Sequence, residues 1–385
     1  MQASSTLPTP EPTLAQPAPV KRLLSLDTLR GFDMFWIIGG EEIFHALAKT
    51  TGWAAALFLA DQFTHPDWHG FRAYDLIFPL FIFMAGVSTP FSLGSRLEKG
   101  ASRSELVRKI ISRGLLLVLL GIVYNNGLLV KSLAETRFPS VLGRIGLAGM
   151  LAQLIYVYSG RRTQYGWFAG ILLAYWAVLM LVPVPGCGAG LLTMECNPAS
   201  YLDRQLLPGH LHKVIHDPEG ILSTLPAVCN ALLGIFAGNL LRTNGHLLTQ
   251  NGKVLRLVVA GLGCLLAGWL WNFVFPVNKN LWTSSFVLVT GGLSLLLLAL
   301  FYWIIDVKGF TRWTLLFTVI GMNSILIYLA GEVIDFEYSA RFFFGGLLHL
   351  SDSRAVQEVG MTIGLLAVEW AFLYVLYKKK VFLRV

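Results

Sequence analysis

His65, Asp67, His69, Arg72 and Asp75 fall within one short stretch, HPDWHGFRAYD, which runs straight into the apolar segment LIFPLFIFMAG. A neutral imidazole can take a proton from an amine or hydroxyl nucleophile near neutral pH. A nearby carboxylate such as Asp75 can orient the ring and stabilise the imidazolium. Two other readings of His65 stand beside this one. It can be an ordinary loop histidine, or a metal ligand paired with His69 four residues on. Pro66 works against one helix spanning that pair, and neither a cysteine nor a third histidine is near, so no metal is expected.

Three more polar stretches stand at the edges of apolar segments. In HDPEGILSTLPA, Asp217 and Glu219 precede a helix-like run, Pro218 and Gly220 bend the chain, and Ser223 or Thr224 can cap the helix start. Two carboxylates there would attract a cationic substrate, although the helix dipole alone accounts for them. In NKNLWTSSFVL, Asn278, Lys279 and Asn280 offer hydrogen bonds to a sugar and Trp282 a face to stack it. The competing reading is an interfacial tryptophan and a snorkelling lysine. In GMNSILIY, Asn323 and Ser324 lie inside a span, where an amide can serve as a donor to developing negative charge.

The elements that must position these groups are membrane helices. Of 385 residues 55% are hydrophobic and only 14% charged, with mean hydropathy +0.62. Apolar runs of about 20 residues recur, and without strand alternation they read as helices in a bilayer. The expected fold is all-α, a polytopic bundle of ten spans near 29–48, 73–94, 114–132, 141–159, 165–183, 222–241, 255–275, 283–306, 313–331 and 357–377. Twenty of the 30 Lys and Arg lie in 21–30, 96–113, 161–162, 242–256, 308–312 and 378–384. The positive-inside rule makes that face cytoplasmic, with both termini, and places His65 and the loop 184–221 outside. The net charge of +8 is thus read as topology rather than as a nucleic-acid surface.

Residues 1–20, rich in Pro, Ala and Thr, read as a disordered tail, and 21–385 as one membrane domain. The first span carries unusual charge. Asp33, Ile37, Glu41 and His45 recur every four residues and predict one polar stripe facing a wet cavity. Asp27 and Arg30 can equally form an internal ion pair. Cys187 and Cys196 share one polar loop on the outer face, where a disulfide is expected.

Taken in order, SLDTLRG, HPDWHGFRAYDLIFPLFIFMAG, DPEGILSTLPA, NKNLWTSSFVL and GMNSILIY resemble the heparan-α-glucosaminide N-acetyltransferase family of transmembrane acyltransferases. The chain looks like a bacterial form without the luminal domain of the lysosomal member. Where that family carries an asparagine on its first core helix, this chain has Gly39, Gly40 and Glu41.

The resemblance implies a cell inner membrane enzyme that moves an acetyl group from cytoplasmic acetyl-CoA to an amino sugar or glycan outside, and it suggests a homodimer. The family's H-x-x-W-x-G pattern falls on His65 to Gly70, making His65 the general base or a transient acetyl carrier, with Asp75 to orient it. Glu41, Asp217, Glu219, Asn278, Lys279, Asn280, Trp282 and Asn323 are the candidate acceptor-side residues. Arg72, Arg113 and Arg144 are the candidates for the coenzyme's anionic groups. The alternative class is a transporter or flippase for a sugar-like solute, in which the buried charges relay protons or bind the solute.

Overall fold

A computed structural model describes residues 23–128, 132–243, 245 and 247–383. The expected tail at 1–20 lies outside the described residues. In chain order the helices are α1 (Leu24–Phe35), α2 (Glu42–Thr51), α3 (Ala54–Gln62), α4 (Ile77–Thr89), α5 (Ser95–Glu98), α6 (Arg103–Asn126), α7 (Val141–Tyr158) and α8 (Arg161–Leu181). They continue with α9 (Pro198–Leu206), α10 (Ile221–Arg242), α11 (Gln250–Trp271) and α12 (Ser284–Phe301). The last four are α13 (Thr314–Met322), α14 (Ser324–Ala330), α15 (Phe336–Leu348) and α16 (Arg354–Lys378). Among the described residues there is no β-strand, only isolated bridges at Arg137–Gly209 and Val184–Gly188.

Among the described residues seven helices are long and apolar enough to cross a membrane. They are the segments built on α4, α7, α8, α10, α11, α12 and α16. Three of the ten expected spans differ, each for a local reason. The segment 29–48 is interrupted: a wide turn over Trp36–Gly40 separates α1 from α2, and Gly39 sits at φ 119°, which a side chain would resist. The polar stripe is therefore broken between Ile37 and Glu41. The segment 114–132 is the second half of α6, whose first half carries Arg103, Glu105, Arg108, Lys109 and Arg113; the helix ends at Asn126. The segment 313–331 splits at Asn323 into α13 and α14.

The most enclosed helices are α4, α10 and α12. Leu80, Ile82, Phe83, Met84 and Val87 of α4 pack with Val228, Leu232 and Ile235 of α10 and with Phe286, Val287 and Leu298 of α12 in one core. Close backbone approach makes this possible. A Cβ on Gly86 would stand 2.1 Å from the Ala231 carbonyl oxygen, and one on Gly234 would stand 2.0 Å from that of Phe83. Small residues at such crossings let helices gain packing without a hydrophobic driving force in lipid. By contrast α11 turns Leu255, Val259, Leu262, Leu266 and Trp269 outward, as a lipid-facing helix must.

Three connectors meet over the N-terminal ends of α4, α7 and α10. They are residues 63–76, 182–220 and 272–283. The second is pinned by a disulfide between Cys187 and Cys196 and by Asn197, which caps α9 through the amide of Ser200 at 2.8 Å. Trp68 of the first connector donates its indole N–H to the Leu192 carbonyl of the second at 2.6 Å.

Candidate active site

Asp75 sits in the short turn Ala73–Leu76 that leads into α4, and its side chain is fully buried. One carboxylate oxygen accepts the backbone N–H of Arg72 at 2.9 Å. The other lies 2.7 Å from Nδ1 of His65, whose side chain is 46% exposed. A buried acceptor thus grips one edge of an imidazole that also borders an open space. The Tyr74 ring stacks against the imidazole at 5.0 Å, and Arg72 braces the loop from behind with a 3.1 Å bond to the His65 carbonyl, a further bond to Thr64 and an ion pair to Asp61 at 2.9 Å.

The first and third connectors are stitched together. Gly70 donates its N–H to the Val277 carbonyl at 2.9 Å, and the Asn278 side-chain amide donates to Nδ1 of His69 at 3.2 Å. This brings Lys279 over His65. Its Nζ lies 2.8 Å from Nε2, 3.2 Å from Nδ1 and 3.6 Å from the nearer oxygen of Asp75. Burial lowers the ammonium's hold on its proton, and Asp75 opposes that effect.

These groups border a cavity of about 360 Å³. His65, Tyr74, Asp75, Lys279, Asn280, Arg137, His212, Lys213 and Glu219 supply its polar lining, and Ile37, Phe78, Val141 and Tyr328 are among its apolar residues. Ile37, Phe78, Val141 and Tyr328 also line a narrower, wholly apolar space of about 40 Å³, closed by Met34, Phe81, Leu142, Ile145 and Ile325. The two spaces therefore adjoin, sharing those four side chains as a common wall.

Arg137 controls the acidic side. Its Nε and Nη2 bond the two oxygens of Asp217 at 2.9 and 2.8 Å, and Nη2 also reaches Glu219 at 2.5 Å. Burial would push the Asp217 carboxyl up, but Arg137 and the amides of Glu219 and His212 hold it below the ordinary carboxylate range. Arg137 was invisible as a site residue in the sequence. The available signal was its place among the few basic residues off the basic face, opposite HDPEG.

Several expected site residues serve the scaffold instead. Asn278 is fully buried and spends its side-chain oxygen on the Leu281 amide at 2.8 Å, so it shapes the loop rather than the cavity. Trp282 offers no face for a sugar: it is buried, donates its indole N–H to Asn230 at 2.9 Å and packs on Phe78 and Phe286. Asp217 is sealed beneath Arg137, while Glu219 reaches the cavity wall. Asn323 lies away from the cavity and ties down the C-terminal segment, donating to the Val381 carbonyl and accepting from the Leu383 amide, both at 3.0 Å.

Glu41 stands one layer behind the cavity, accepting the Tyr74 hydroxyl at 3.2 Å. Ser223 and Thr224 do not cap α10; both hydroxyls donate back to the Gly220 carbonyl. Among the arginines, Arg72 is engaged by Thr64, the His65 carbonyl and Asp61 and does not line the cavity. Arg144 is buried on α7 with its guanidinium 4.7 Å over the Trp282 ring and bonded to Ser223. Arg113 lines a separate small space with Gln153 and Met150. Asp27 and Arg30 pair at 3.4 Å. Among the described residues no group of His, Cys, Asp and Glu is arranged to hold a metal ion.

Against known proteins, residues 22–266 match the family described as heparan-alpha-glucosaminide N-acetyltransferase, catalytic. This chain belongs to that family. Heparan-alpha-glucosaminide N-acetyltransferase of Homo sapiens is 29% identical over 423 aligned positions, covering 94% of this chain and 60% of the relative. The Mus musculus protein is 29% identical over 382 positions, covering 84% of this chain and 56% of the relative. The chain thus spans 60% and 56% of the length of these relatives. The family match takes in His65, Asp75, Arg137, Asp217 and Glu219 and stops short of Lys279.

Proposed function

We propose that this protein is a membrane acetyltransferase that moves the acetyl group of acetyl-CoA onto the amino group of an amino sugar. The observation that carries the proposal is His65 on a cavity wall, held at Nδ1 by the buried carboxylate of Asp75. With Nδ1–H donated to Asp75, the other ring nitrogen, Nε2, which faces Lys279, is a base. The acceptor amine attacks the thioester carbonyl carbon, forming a C–N bond as the C–S bond breaks. His65 takes the proton that the amine sheds and returns it to the departing thiolate. Asp75 stabilises the imidazolium in between.

The chamber suits the reaction partners in size and polarity. A volume of about 360 Å³ accommodates one hexosamine and an acetyl thioester, within the usual range for small-molecule sites. Glu219 offers a carboxylate to a cationic acceptor, and the Asn280 amide a donor to the carbonyl oxygen as negative charge develops. In this reading the termini are cytoplasmic, the donor enters from that side of a bacterial inner membrane, and the acceptor enters from the other.

Incubating the purified protein with radiolabelled acetyl-CoA and a panel of amino sugars tests the reading. Labelled N-acetyl product that disappears in His65→Ala, with the folded protein recovered intact, is the expected result. Acetylation of no amino sugar, or turnover indifferent to His65→Ala, sinks it.

A further inference from the structure

A primary amine already occupies the position that the acceptor's nitrogen must take. Lys279 Nζ sits 2.8 Å from Nε2 of His65 on the wall of the same cavity. The arrangement is built, not casual. The loop that carries Lys279 is tied to the His65 loop through Gly70–Val277 and His69–Asn278, and it is closed on itself by the Asn278–Leu281 bond. Immediately beyond, Trp282 adopts φ 52°, a strained conformation for a side-chain-bearing residue, held by its buried ring and its bond to Asn230. A flexible surface lysine would not be delivered to the edge of one imidazole ring by so constrained a turn. Burial weakens the ammonium's hold on its proton while Asp75 opposes that effect, and the His65 imidazole beside Nζ is the group placed to take that proton.

We propose that Lys279 is an internal acetyl acceptor: with acetyl-CoA bound and no amino sugar present, the protein acetylates its own Lys279 side chain. This rests on the acetyl-transfer reading above. In its unprotonated form Nζ attacks the thioester carbonyl carbon, so a C–N bond forms and the C–S bond breaks. His65 removes the nitrogen's surplus proton and passes it to the coenzyme A thiolate, giving Nε-acetyl-Lys279 and free thiol. The product amide carries no charge, loses the contact with Asp75 and leaves an acetyl group beside His65. Self-acetylation therefore blocks the chamber and shuts the enzyme down when acceptor is scarce. An amino sugar displaces the lysine and protects it.

The experiment uses the full chain in detergent with isotopically labelled acetyl-CoA, with and without glucosamine, followed by peptide mass spectrometry and by measurement of free N-acetylglucosamine. The expected result is label on Lys279 in the absence of glucosamine, suppressed when glucosamine is added. In both His65→Ala and His65→Gln the label should fall by about 10²-fold. The two variants are compared at matched recovery of folded protein. Transfer to glucosamine with Lys279 unlabelled overturns the inference and leaves the acetyltransferase reading standing. Neither product overturns both. Label on Lys279 at the same rate in both His65 variants marks adventitious chemical acetylation and overturns the inference, as does label found on His65 with Lys279 clean.

Discussion

Asp75 and His65 are joined by a 2.7 Å hydrogen bond between a side chain with no solvent exposure and one that is nearly half exposed. The asymmetry matters. A carboxylate out of water, already fixed on its other oxygen by the Arg72 amide, can do little except hold the ring and balance a charge on it. Asp75→Asn keeps an oxygen for the Arg72 amide but presents the wrong group to Nδ1. Acetyl transfer should fall by about 10²- to 10⁴-fold in kcat, with little change in the folded yield. Steady-state rates on acetyl-CoA and glucosamine measure this, and an undiminished kcat would remove Asp75 from the mechanism.

Arg137 binds two carboxylates at once, one of them, Asp217, with no exposure at all. Removing one partner from a buried ion pair costs more than the pair contributes, because the remaining charge is stranded. Arg137→Met should therefore destabilise the fold by about 3–5 kcal/mol. Arg137→Lys should recover only part of this, since an ammonium cannot bond both Asp217 oxygens in a fork. Unfolding midpoints in detergent decide it; an Arg137→Met protein as stable as the parent would contradict the assignment.

The distinction between what the sequence carried and what it did not follows from range. Apolar segments and local pairs were legible: His65 and Asp75 lie ten residues apart in one continuous stretch that leads into α4, and the α10 and α12 starts were placed within a residue or two. Relations across the chain were not. Nothing in NKNLWT says that Trp282 turns inward to Asn230 and Arg144 while Lys279 turns outward to His65, because that division depends on the left-handed turn at Trp282. Likewise Asn323 looks like a catalytic amide inside a span until the C-terminal segment is seen folding back onto it. The stripe in the first helix failed for a backbone reason: periodicity assumes an unbroken helix, and Gly39 breaks it.

Trp282 and Asn280, two residues apart, should separate stability from binding. Trp282→Ala empties a fully buried ring site and leaves Arg144 without its aromatic partner, for a loss of about 3–5 kcal/mol. Asn280→Ala alters only the cavity wall and should raise the KM for the acceptor or lower kcat without moving the unfolding midpoint. Paired thermal scans and kinetics are sufficient. Reversed behaviour, with Asn280→Ala unfolding the protein and Trp282→Ala only weakening substrate, would reinstate Trp282 as the sugar platform.

His216 sets a pH limit on the loop that roofs the cavity. It is buried, its Nδ1 is 2.8 Å from the Ser200 hydroxyl, and its ring meets Trp68 edge-on at 5.1 Å. Burial holds its pKa down to about 4, against roughly 6.5 for a free imidazole. The unfolded chain therefore takes up a proton that the folded one refuses. The stabilisation is complete above about pH 6.5 and is lost progressively as pH falls toward 4, for a total of about 3 kcal/mol. The unfolding midpoint should drop across that window, and His216→Asn should flatten the drop while retaining a polar partner for Ser200. An identical pH profile in the parent and in His216→Asn would show that some other group titrates there.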